Sequence, residues 1–161
     1  MKEKELLKLV QKEVEKLQSL LAVDGDVSVD IEEGEEGMQY AKVVFEGEEL
    51  GYMIGNRGRH LDSLQYMLQI LLGRKLDDVQ RENFRVFVDV GGYRKEKDDK
   101  IAQMAIEKAD DARILGEAVE LPPMKPSDRR VVHLTLMKFK DISAESEGEG
   151  MERHIVIKPV K

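Results

Sequence analysis

The sequence predicts an α+β fold in two small units with mostly antiparallel sheets. Three observations carry that reading. Apolar residues recur at steps of three and four in several stretches, as one face of a helix requires, and alternate singly in others, as a half-buried strand requires. Glycines and acidic turns punctuate these stretches, most sharply at Gly91 and Gly92, where the boundary between units 1–91 and 92–161 is placed. The 161 residues, 41% of them hydrophobic, have the length of one ordinary domain or of two small ones, each close to the smallest size that buries a core alone.

Each element follows from its local pattern. Leu6, Val10, Val14, Leu17 and Leu21 mark an amphipathic helix over residues 2–21, too short for a free-standing coiled coil and so expected to pack on a sheet. "VSVDIEE" and "QYAKVVFEG" alternate at period two around the turn "EGEEG", which predicts a hairpin. "EELGYMI" is a short helical turn ending at Gly55. From Arg59 a helix runs to about Leu72, with Leu61, Leu64, Leu68 and Leu71 on one face and Gly73 as its stop. "NFRVFVDV" is a strand.

In the second unit, residues 93–115 read as a charged helix with Ile101, Met104, Ala105, Ala112 and Leu115 on its apolar stripe. "EAVELPPM" is an edge strand closed by prolines. "KPSDRRVVHLTLMKF" is a helix with Pro126 near its start and Ser127 or Asp128 as its cap. "DISAESEGEG" and "ERHIVIKPV" close the chain as a strand pair.

Composition removes several classes of function. With no cysteine there are no disulfides, thiolate nucleophiles or cysteine-held metals, and a reducing compartment suits the chain. No apolar run approaches the roughly 20 residues that span a bilayer, and the charged N-terminus is no secretory signal, so a cytoplasmic location without membrane insertion is expected. The net charge of −7 argues against a nucleic-acid partner, but the charge is segregated. Residues 24–49 hold ten acids against Lys42 alone, whereas residues 55–75 hold Arg57, Arg59, Arg74 and Lys75 against Asp62.

The segment "GNRG", Gly55 to Gly58, stands directly before a helix. A helix N-terminus carries unpaired N–H groups and partial positive charge, so it attracts anions. Glycines let the backbone turn sharply and let a ligand approach closely, and Arg57 and Arg59 supply charge to hold phosphates. The spacing is neither the G-x-G-x-x-G of dinucleotide folds nor a G-K-[ST] nucleotide loop. On spacing alone an ordinary turn remains open. In the second unit, Arg129 and His133 lie one helical turn apart on one face, beside Arg130. Arginine offers a planar fork for phosphate and histidine a ring that stacks or hydrogen-bonds.

These residues carry a resemblance. "IGNRGRHLDSLQYMLQILLGRK", preceded by a two-strand unit and followed by "RVFVDVGGYR", resembles the type II K-homology domain of bacterial Jag proteins. "PPMKPSDRRVVHLTLMKF" with "RHIVIKP" is similar to the R-x-x-x-H domain that follows it in that family, and the likeness covers residues 27–160. The resemblance implies single-stranded RNA, or single-stranded DNA, as partner, with no cofactor and no catalysis. It implies a backbone clamp at Gly55, Asn56, Arg57, Gly58 and Arg59, groove walls at Ile54 and Leu61, and a second contact at Arg129, Arg130, His133 and Arg153. His154 stands where a second arginine is expected beside Arg153. The separate N-terminal domain and basic linker of many Jag proteins find no counterpart here. Pairing with a second copy or with a small stand-alone K-homology protein is the alternative role, through the N-terminal helix, exposed strand edges or the acidic flank. The family is associated with cell shape and sporulation.

Other constellations have plainer explanations. His60, His133 and His154 are scattered without metal-ligand spacing, so no metal is expected. Glu145, Glu147 and Glu149 share one strand face, where they keep an edge soluble or orient Arg129 and Arg130. Ser127, His133 and Asp128 form no nucleophile elbow.

Overall fold

The leucine–valine stripe at the start of the chain forms the predicted helix. In the computed structural model, which describes residues 3–160, α1 spans Glu3–Leu20 and buries Leu6, Val10, Val14 and Leu17. Lys2, the expected start, lies outside the described residues. Leu21 falls beyond the helix end and is exposed. On the same buried side, Glu13 accepts from Lys16 Nζ at 3.0 Å and pairs with Lys75 Nζ at 3.3 Å. The bond from Lys16, opposed by burial and reinforced by Lys75, holds its carboxyl below the usual range.

The hairpin forms as β1 (Asp26–Glu33) and β2 (Gln39–Glu46), antiparallel, with Val27 opposite Phe45 and Glu33 opposite Gln39. Ala41, Val43 and Phe45 point into the core beneath α1. The third strand departs from expectation. β3 (Phe84–Val90) runs parallel to β2, so the sheet is mixed, in the order β1-β2-β3. Parallel neighbours need a crossover of a dozen residues or more, usually helical, and the chain between β2 and β3 supplies one. It contains α2 (Gly51–Ile54), α3 (Arg59–Gly73) and α4 (Asp78–Glu82).

The short helix α4 has no counterpart among the expected elements. It is held by a capping box in which Asp77 Oδ1 accepts the Gln80 N–H at 2.9 Å and Gln80 Oε1 accepts the Asp77 N–H at 3.4 Å. On α3 the buried face is Leu61, Leu64, Leu68 and Leu72, whereas Leu71 is exposed. Leu71 and Leu72 both lie one turn beyond Leu68, and only packing on β3 and α1 decides between them.

The chain divides into two compact units after Tyr93. The second contains most of α5 (Tyr93–Leu115), β4 (Val119–Glu120), α6 (Pro126–Leu136), β5 (Ile142–Glu147) and β6 (His154–Pro159). Its sheet is antiparallel, in the order β4-β6-β5. The buried seam of α5 is Ala105, Ala109 and Ala112, with Ile101 and Met104 half-buried beside it and Leu115 exposed, contrary to the expected stripe. Small side chains at a contact bring a helix axis close to its neighbours.

Pro126 occupies the first turn of α6, but neither Ser127 nor Asp128 caps it; the cap position falls on Lys125. Asp128 instead binds Lys97 Nζ at 2.8 Å, a largely buried pair between α5 and α6. Glu145 and Glu147 do not orient Arg129 or Arg130. Both hold Lys158 Nζ across the β5–β6 pair, at 2.6 and 2.9 Å, and raise its pKa.

Candidate nucleic-acid interface

The glycine loop is a tight double turn. Gly55 ends α2 with its N–H on the Gly51 carbonyl at 3.0 Å and lies at φ 68°, ψ −172°. That combination is essentially restricted to glycine. Arg57 (φ 54°, ψ 30°) and Gly58 (φ 76°, ψ 16°) are both left-handed. The Gly58 N–H returns to the Gly55 carbonyl at 3.4 Å and the Arg59 N–H to the Asn56 carbonyl. The amides of Gly55, Gly58 and Arg59 are therefore spent inside the turn. Those of Asn56 and Arg57 have no acceptor among the described residues. The amide set that the sequence led one to expect narrows to these two.

The glycines are required by the protein's own packing. A Cβ at Gly55 stands 2.4 Å from Cγ of His60, and one at Gly58 stands 2.9 Å from Cε1 of Tyr93. His60 donates Nδ1–H to the Tyr52 carbonyl at 2.7 Å, which pins its ring over Gly55 and ties α3 to α2. These roles of His60 and Tyr93 escape a reading of the sequence. Their only signal is position, two residues after "GNRG" and directly after the Gly91–Gly92 break. On the solvent side, Asn56, Arg57 and Arg59 are exposed. Ile54 is half-buried, but Leu61 is wholly in the core and cannot serve as a groove wall.

Along α3 the face toward β3 carries Gln65 and Gln69. Gln65 Oε1 accepts the Val88 N–H at 3.1 Å. Gln69 Oε1 accepts the Val86 N–H at 2.8 Å while its Nε2 donates to the Phe84 carbonyl at 3.0 Å. These groups lie on the side of β3 away from β2, so the two glutamines occupy three main-chain groups of this sheet edge.

In the second unit two of the predicted residues, Arg129 and Arg153, meet at Met124. Arg129 Nη1 donates to the Met124 carbonyl at 2.7 Å, and the Met124 N–H donates to the Arg153 carbonyl at 3.2 Å. Arg153 Nε in turn donates to Ser146 Oγ at 2.8 Å. Arg129 is half-buried and Arg130 exposed. His133 lines a cleft of about 290 Å³ with Leu134, Leu136, Met137, Phe139, Ile142 and Ala144. Ser127 Oγ donates to Asp128 Oδ1 at 3.3 Å, and Asp128 in turn holds Lys97 Nζ. His154 donates Nδ1–H to the Glu152 carbonyl at 2.9 Å. Among the described residues no group of three or more metal-ligating side chains forms, and no helix is long and apolar enough to cross a membrane.

Comparison with known proteins fits this geometry. Residues 11–82 match the KH domain of the KhpA/KhpB type, and residues 97–159 match the domain family named for its R-x-x-x-H motif. The chain is 33% identical over 132 residues to the RNA-binding protein KhpB of Clostridium symbiosum, covering 82% of this chain and 56% of that protein. It is 31% identical over 138 residues to the RNA-binding protein KhpB of Bacillus subtilis, covering 84% of this chain and 63% of that one. It thus spans somewhat more than half the length of these relatives. The double-turn loop at the head of α3 falls inside the first matched segment and the Arg129–His133 face inside the second. With both segments matched in this order, the chain belongs to the Jag family, in which a KhpA/KhpB-type KH domain precedes an R-x-x-x-H domain.

Proposed function

We propose that the chain is a cytoplasmic, non-enzymatic protein that binds single-stranded RNA in post-transcriptional regulation. The observation that carries this reading is the loop itself: two amides without protein acceptors, at Asn56 and Arg57, beside the exposed guanidinium groups of Arg57 and Arg59. Such a turn suits the sugar–phosphate backbone, because main-chain N–H groups and arginine forks both prefer phosphate oxygens. Arg57 is held in a left-handed conformation that costs a non-glycine residue about 1 kcal/mol. The turn places a cation at its apex despite that cost. Arg129, Arg130, His133 and Arg153 form the second contact. Two weak sites on one chain gain affinity through effective concentration.

The direct test is titration of a fluorescent single-stranded RNA at several salt concentrations. Affinity falls with salt with a slope of about 0.7 per phosphate contacted. No binding at low salt overturns the reading.

A second reading rests on a different observation. Tyr66, Met67, Ile70 and Leu71 of α3 are between 39% and 68% exposed, an apolar face on an otherwise charged protein. We propose that this face pairs with a second K-homology domain, of another copy or of a small stand-alone protein. Light scattering of the chain alone checks the first case: self-pairing gives twice the chain mass, shifted to the single mass by Ile70→Lys. A single mass at every concentration removes self-pairing.

A further inference from the structure

The edge of β3 is the place where bases carried by a clamped backbone would find main-chain partners. Gln65 and Gln69 lie about 9 and 15 Å along α3 from its start at Arg59, at 1.5 Å per residue, so a strand gripped at Asn56 and Arg57 passes them within a few nucleotides. A free strand edge offers alternating N–H and C=O groups, which match the Watson–Crick edges of splayed bases as they match another strand. Here three of those groups, the Phe84 C=O and the Val86 and Val88 N–H, are engaged. Gln69 is bidentate on Phe84 and Val86, the two neighbours of Arg85. This is the pattern by which one residue of a parallel strand bonds its neighbour, donating before and accepting after the residue opposite. The side-chain amide of Gln69 stands in for a peptide unit of a fourth strand, and Gln65 extends it by accepting the Val88 N–H.

Resting on the RNA-binding reading above, we infer that Gln69, supported by Gln65, closes the β3 edge to nucleobases, so the first unit grips RNA by its backbone with little regard to sequence. Affinity then comes from the phosphates and discrimination is suppressed. Displacing Gln69 requires breaking two hydrogen bonds at once, and a base that breaks them recovers no more than it removes. Gln69 is a positioning residue by this argument. It sets selectivity without touching the phosphates.

The experiment compares single-stranded rA, rC and rU decamers at one salt concentration. The parent is the full chain carrying Arg129→Ala and His133→Ala, so that the first unit dominates the reading. The parent binds all three within about threefold, and Gln69→Ala spreads them to about tenfold by freeing the Val86 N–H and Phe84 C=O for base contacts. Gln65→Ala, which loses the bond to the Val88 N–H and keeps the bidentate pair of Gln69, gives a smaller spread and supplies the reading if Gln69→Ala fails to fold. Strong discrimination by the parent overturns the inference and leaves the RNA-binding reading standing. Equal binding by parent and both variants overturns it too, since the glutamines then set nothing. Absence of binding by the parent and by the unmodified chain overturns both.

Discussion

Replacing Asn56 and Arg57 together by aspartate lowers the affinity for single-stranded RNA by about 100-fold while the protein stays folded. The substitution moves the loop by three charge units toward the sign of its ligand. Each unit near a phosphate at the surface is worth about 1 kcal/mol, and about 3 kcal/mol in total corresponds to roughly 100-fold. Both side chains are exposed and have no partner among the described residues. Aspartate also tolerates the left-handed position of Arg57 better than most residues. Circular dichroism and melting therefore remain those of wild type, and fluorescence anisotropy reads the loss. Arg129→Ala with His133→Ala lowers affinity by a smaller factor, about tenfold, the size of one lost charge-assisted contact. An aspartate variant that binds like wild type removes the loop from the mechanism.

Gly55→Ala is expected to destabilise the first unit by about 3 kcal/mol, from a backbone region reserved for glycine and from collision with a fixed ring. The new methyl meets His60 at 2.4 Å, and that ring cannot swing away without losing its bond to the Tyr52 carbonyl. For a domain of this size the loss corresponds to a fall of about 10–20 °C in melting temperature. Gly37→Ala is the control. Its φ of 79° is also left-handed, but nothing lies within 4 Å of the added Cβ, so the cost is about 1 kcal/mol. Equal melting of the two variants contradicts the packing of His60 on the loop. Scanning calorimetry distinguishes the cases.

The sequence made local devices legible and left non-local ones hidden. The α1 stripe, the hairpin, the double turn before α3 and the Arg129–His133 spacing are each written in one contiguous stretch. Periodicity or a short motif suffices for them. The parallel pairing of β3 with β2 depends on where a 37-residue crossover returns, and no single stretch encodes it. Asp128 reads as a helix cap until Lys97, 31 residues away, claims it. Gln65 and Gln69 look like ordinary polar positions on a helix until β3 arrives beside them. At the loop the motif marked a tight turn at the head of a helix, as the structure has it, but left half of the glycines' work unread. They make room for His60 and Tyr93.

The parallel crossover also bears on how the grip comes into being. The loop sits in the crossover from β2 to β3, and the Tyr93 ring that packs on Gly58 follows β3, so the loop's packing is complete only after the ribosome has released β3 and that strand has docked. Nascent chains that end before β3, at Phe84–Val90, display the hairpin without the strand that pairs with β2 and without the Tyr93 ring on Gly58. The full packing of the proposed clamp is thus a product of whole-domain assembly, which a synthetic fragment cut from around α3 does not reproduce.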